Sequence, residues 1–250
     1  MRGAAGLQAQ GMRATQAMRG SFAMLSQNLS GNKKAADQFT VVFAGYVTTF
    51  SGTSGSEYAL VNSLGARGAK PGDFAVMFTG IGNGVNSAGS VDGTGVTGWT
   101  SAQFTWMYDA AYAFKTLAAA DCAATDMRYL ARAAYPVFLV ILRSLVSSSI
   151  TGTLKTTPPL QNSGAALTFP AVTKDPKSLG QFMIVCDRDV TSIWVPPSGY
   201  NTYNYNNASP FAIAAIDLKI PSLYVSGTPI VCAVAGAQTW DQTGLLFELI

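Results

Sequence analysis

From Gln38 onward the chain keeps breaking its own apolar runs. Short stretches rich in Val, Ile, Phe, Tyr and Thr are separated by breaks of Gly, Pro, Ser and Asn. Runs of this length suit strands better than helices, and the breaks supply turns. The strand candidates are 39–50, 58–64, 74–78, 111–116, 137–142, 165–169, 181–186, 191–195, 211–220, 223–225, 230–234 and 245–250. Strands this frequent argue for a mainly β fold, a jelly-roll-like antiparallel β-sandwich with an N-terminal partly helical arm. Residues 1–36 form the expected arm and 37–250 the sandwich domain.

Several runs carry more detail. Phe74 to Phe78 is continuously apolar, as in a strand covered on both faces, with Gly80, Gly82 and Gly84 expected to end it. Val137 to Leu142 reads the same way, as a central strand. In 39–50 the alternation of Phe39, Val41 and Phe43 breaks at Gly45. Phe104, Trp106 and Tyr108 alternate, which puts three rings on one face. The alanine-rich 110–124 would suit a helix by propensity and is ambiguous between helix and strand. Residues 147–164 read as a long excursion or a hairpin tip around Pro158-Pro159, and 196–210 as a loop. No repeat of fixed period is visible.

The segment 1–36 has a different texture. Ala14, Met18, Phe22, Leu25 and Leu29 fall at spacings of three and four, one face of a helix. Gly11 and Gly20 each weaken that helix by roughly 1 kcal/mol. Two readings stand side by side: an arm ordered by docking on a neighbour, and a segment folded on its own domain. Arg13, Met18, Arg19, Phe22 and Leu25 are its candidate interaction residues. It is mildly basic, with Arg2, Arg13, Arg19, Lys33 and Lys34 before the first acid, Asp37.

Only 12% of residues are charged, about half the usual quarter. A surface this poor in charge suits a protein whose neighbours cover it; a Ser/Thr-rich extracellular β domain is the other reading. The net charge of +3 argues against a specific nucleic-acid binder. Three cysteines, an odd number, cannot all pair within one chain. No apolar run approaches the ~18 residues of a spanning helix, so no membrane insertion is expected. Residues 3–20 are too rich in Gly, Gln and Arg for a signal-peptide core.

The chain has no histidine. Ser-His-Asp and Cys-His sites cannot be built from it, nor the usual imidazole zinc sites. Asp187 and Asp189 flank Arg188. On a strand they would share a face, a minimal glycosidase pair, though a strand-end ion pair accounts for them as well. Gly93, Gly95 and Gly98 match G-x-G-x-x-G, but in a polar loop leading into a strand, where the dinucleotide fingerprint needs a strand before it and a helix after. No catalytic, cofactor or metal residue is assigned. Tyr200, Tyr203 and Tyr205 stand among Asn201, Asn204, Asn206 and Asn207, a composition that binding loops favour.

Five pieces of sequence belong together: Gly72-Asp73, Gly98-Trp99-Thr100, Tyr112, Lys115 and Ala120-Asp121. Their order resembles a β-sandwich module common in phage and prophage structural proteins, tail and fibre proteins especially. This chain departs from the module at Phe114, where a tyrosine is usual, and in the long loop before Gly98. The resemblance covers 71–121, and it implies a strand at 111–116 and a turn at 118–121. It implies a non-enzymatic virion component, in the tail, fibre or capsid-decorating layer, assembled in the bacterial host cytoplasm. The implied partners are further copies of the chain and other virion proteins, with no cofactor. The alternative is a carbohydrate-binding sandwich that reads host surface glycans through Tyr200, Tyr203 and Tyr205.

Overall fold

The computed structural model describes residues 36–47, 50–51, 58–61, 63–82, 90–104, 109–130, 137–156, 160–188, 191–208, 211–235 and 241–250. The fold is mainly β, and among the described residues every strand pairing is antiparallel. The strands of the first half are β1 (Phe39–Val47), β2 (Phe50–Ser51), β3 (Tyr58–Leu60), β4 (Phe74–Gly82), β5 (Val91–Asp92), β6 (Thr100–Phe104), β7 (Asp109–Thr116), β8 (Arg128–Leu130) and β9 (Val137–Ser144). Those of the second half are β10 (Gly152–Leu154), β11 (Leu160–Ser163), β12 (Ala166–Phe169), β13 (Gly180–Asp187), β14 (Ile193–Val195), β15 (Asn201–Ala208), β16 (Phe211–Leu218), β17 (Ile230–Ala235) and β18 (Asp241–Leu249).

The two halves have the same plan. In the first, the sheet order is β1-β9-β4-β7-β6, with a smaller sheet β2-β3-β8-β5. In the second it is β10-β18-β13-β16-β15, with a smaller sheet β12-β17-β14. Replacing β1, β3, β4, β5, β6, β7, β8 and β9 by β10, β12, β13, β14, β15, β16, β17 and β18 turns one set into the other. Within each half the first strand lies beside the last, and the second beside the second-to-last. That is the wrapped strand order of a jelly roll. The sandwich is one compact unit, 37–250, built from two halves of jelly-roll order, a repeat of topology without a repeat of sequence.

Their packing gives four layers. Phe74, Val76, Phe78, Phe138 and Val140 of the first large sheet meet Phe182, Ile184, Ile213, Leu245 and Phe247 of the second in the main core. The opposite face of the first large sheet, with Met77, Leu139 and Ile141, lies under the small sheet through Ala59, Val61 and Tyr129. The opposite face of the second, with Met183, Val185, Ile216 and Leu246, lies under Leu167, Phe169, Trp194 and Ile230. Both large sheets are therefore dry on two sides. This is why β13 is buried at every position and why Phe74 to Phe78 shows no alternation.

A tight corner opens the third strand of each jelly roll. Gly72 (φ 92°) and Gly180 (φ 135°) precede Asp73-Phe74 and Gln181-Phe182. A Cβ there would lie 2.2 Å from Ser148 O or 2.0 Å from Leu218 O, so both positive φ and close backbone approach demand glycine.

The structure corrects several expectations. β4 continues through Gly82, so Gly80 does not end it. The irregularity in β1 falls between Val41 and Phe43 and not at Gly45. Ala119–Ala123 is a short helix where a turn was expected, while β7 is the strand foreseen. The supposed excursion 147–164 carries β10 and β11, both paired to β18. Its own polar sequence hides this, because the pairing partner lies at the far end of the chain. The supposed loop 196–210 carries β15. Trp106, Tyr108 and Pro158-Pro159 lie outside the described residues.

Candidate functional site

Two kinds of feature compete for a functional role: buried polar groups at the sheet corners and the outer faces of the two small sheets. Asp73, Asp121, Asp187, Asp217 and Glu248 are all buried. A carboxylate is expensive to bury unless charge and hydrogen bonds compensate it. All five accept hydrogen bonds, and Asp73, Asp121, Asp217 and Glu248 each have a cation within 3.6 Å. Asp73 accepts from Arg143 Nε at 2.8 Å and Nη2 at 2.7 Å, and from the Lys70 amide at 2.8 Å. Asp121 accepts from Trp99 Nε1 at 3.2 Å and the Ala118 amide at 2.7 Å, with Lys115 Nζ 2.7 Å away. Glu248 accepts from the Asp175 amide at 2.8 Å and pairs with Lys155 at 2.7 Å. Asp217 accepts from Asn201 at 2.8 Å, with Lys219 Nζ at 3.6 Å; burial pushes its pKa up.

These groups explain the pattern noticed in the sequence. Asp73, Trp99, Lys115 and Asp121 belong to two clamps that tie the ends of β4, β6 and β7 to the short helix and to β9. The second jelly roll repeats the device with other chemistry. Gly199-Tyr200-Asn201 stands before β15 as Gly98-Trp99-Thr100 stands before β6. Both glycines have positive φ, 93° and 75°. The ring of each aromatic faces apolar residues and its polar tip donates inward: Tyr200 OH to Gln181 Oε1 at 2.6 Å, Trp99 Nε1 to Asp121.

The tyrosines expected on a loop are on or beside an edge strand. Tyr203 and Tyr205 pack on the main core. Tyr205 accepts a hydrogen bond at its carbonyl from Tyr46 OH at 3.1 Å, and its ring lies 4.8 Å from that of Phe138. Lys219 Nζ donates to Tyr203 OH at 3.1 Å. Between them Asn204 points the other way. It accepts from the Trp194 amide at 3.0 Å and donates to the Trp194 carbonyl at 3.3 Å, joining β15 to β14. Tyr203, Asn204 and Tyr205 alternate with period two; that signal marks a strand, and the loop-like composition masks it. Burial raises the pKa of Tyr200 and of Tyr205.

Asp187, one of the two acids weighed as a carboxylate pair, ends β13 fully buried and accepts from Gln242 Nε2 at 3.0 Å. Asp189 and the arm candidates Arg13, Met18, Arg19, Phe22 and Leu25 lie outside the described residues. No disulfide joins the three cysteines; Cys186 and Cys232 are buried, and burial pushes the Cys232 thiol up to about 12. Among the described residues no cluster of acids and cysteines could hold a metal ion, and no helix is long and apolar enough to cross a membrane.

The outer faces of the small sheets differ. On the first, Arg128 of β8 and Asp92 of β5 form an exposed pair at 2.7 Å. On the second, the outward residues of β14 and β17 are Ile193, Val195, Val231, Ala233 and Ala235, all exposed. Nothing in sequence-order reading sets these five apart. Only the pairing of β17 between β12 and β14 gathers them on one face.

No protein-family model, no curated protein and no solved structure matches the chain.

Proposed function

We propose that this protein is a non-enzymatic structural component of a tailed-phage virion, in the tail, fibre or capsid-decorating layer. It works by packing against copies of itself and other virion proteins. The observation that carries this reading is where the polarity goes. The buried carboxylates of Asp73, Asp121, Asp217 and Glu248 are each paired with a cation of the same chain, while an outermost sheet presents an uncharged apolar face to the outside. That distribution suits a building block, since a neutral outer face gains free energy when a neighbour covers it. The low charge of the whole chain points the same way. So does the resemblance of 71–121 to a virion module, whose Gly-aromatic corner recurs in the second jelly roll.

The test is composition and association together. Mass spectrometry of purified particles is expected to find the chain at a fixed, multiple copy number. Sedimentation of the purified protein is expected to show association that rises with concentration. A chain that stays monomeric throughout and is absent from particles contradicts the proposal.

A further inference from the structure

We infer that the outer face of the β12-β17-β14 sheet is a homotypic contact, covered by the same face of a second copy across a two-fold axis. This rests on the assembly reading above and names its partner. β17 is the middle strand, and register places Ala233 between Ala166 and Val195, Val231 opposite Thr168, and Ala235 opposite Ile193. These residues form one continuous face without a charge. Ile193, Val195 and Val231 are 47%, 45% and 46% exposed.

Three considerations select a second copy, face to face. The first is the internal control. The matching sheet of the first jelly roll has the same strand plan and carries Arg128 and Asp92 outward, so the fold itself does not require a neutral outer sheet. The second is charge. Placing the apolar face on the β2-β3-β8-β5 sheet of another copy would bury the Arg128–Asp92 pair, and desolvation opposes that. Placing it on its own equivalent leaves that pair in water, brings uncharged residues together and closes with two-fold symmetry. The third is shape. Each large sheet here is already covered by another sheet on both sides, and twisted sheets of like hand stack with their strands near-aligned.

The face is small. Three strands at about 4.8 Å spacing and the six residues of β17 at about 3.3 Å rise give roughly 300 Å². A standard interface covers about 800 Å² per partner. The contact is therefore weak for an isolated pair and becomes strong when other contacts in an assembly hold the copies in place.

The experiment is sedimentation equilibrium on the full chain over a wide concentration range. Wild type is compared with Val231→Asp, Val231→Lys, Val195→Lys and Arg128→Ser. Circular dichroism and melting confirm that each variant is folded. We expect each charge on the apolar face to weaken association about tenfold or more, and Arg128→Ser to leave it unchanged. If wild type associates and folded face variants associate equally well, the face is not the contact, although the assembly reading stands. If wild type never associates yet the chain is found in particles, this inference falls alone; if it is absent from particles too, both fall.

Discussion

Two jelly rolls share one chain here, and they solve the same structural problem with different residues. In the first, Asp73 before β4 clamps Arg143 of β9. In the second, Gln181 opens β13 and lies opposite Glu248 of β18. The registers Phe74↔Leu142 and Phe182↔Phe247 make Arg143 and Glu248 equivalent positions of opposite charge. Arg143 is matched by Asp73 nearby; Glu248 is matched by Lys155, from the connection after β10. The short helix after β7 corresponds to a 3-10 turn, Pro221–Leu223, after β16. The lesson is that the fold fixes a polar, compensated corner and leaves its chemistry free. Glycine at the corner and a Gly-aromatic pair at the start of β6 and β15 are the parts both halves keep.

The most severe way to break this comparison is at the corner glycines. Gly180→Ala and Gly72→Ala would each place a Cβ in backbone at positive φ. We expect each to cost about 3–5 kcal/mol in chemical denaturation, with Gly180→Ala at least as costly because Leu218 O and the Phe39 ring both crowd it. A loss below about 1 kcal/mol at either site would show that the two corners are not equivalent constraints.

Asp73→Ala comes next. It strands Arg143, whose side chain is 31% exposed and so keeps partial access to water. The expected loss is about 2–3 kcal/mol, below the cost of a fully buried broken pair. A double-mutant cycle with Arg143→Met checks that the loss belongs to the pair. Additive effects would mean that the first corner is not held by charge.

The smallest effect sharpens the second half. Burial raises the pKa of Asp217 above its ordinary 3.8. The folded state thus holds its proton more tightly than the unfolded chain. The stability this adds is full below 3.8 and is lost as pH rises through the raised value. Asp217→Asn removes that dependence while keeping an acceptor for Asn201. We expect stability within about 1 kcal/mol of wild type at neutral pH and a flatter profile through the acid range. A variant whose profile matches wild type would place the titration elsewhere.

Much of the strand content was legible because a strand buried on both faces leaves an unbroken apolar run, as in 74–78, 137–142 and 181–186. β15 was misread because Asn and Tyr resemble a loop, although their alternation is that of an edge strand. β10 and β11 were missed because their stability comes from pairing with β18, about a hundred residues away in sequence for β10, and local composition carries no trace of such a partner.

Taken alone, the sequence determined that the chain would be β-rich, poor in charge and without imidazole chemistry, since these follow from residue type and local spacing. Only the tertiary structure decided that the strands form two equivalent jelly rolls, that the buried acids serve as clamps, and that five small and branched side chains share one outer face. Those properties depend on register between distant strands, and hydrogen-bonded pairing across long loops is set by the whole fold at once.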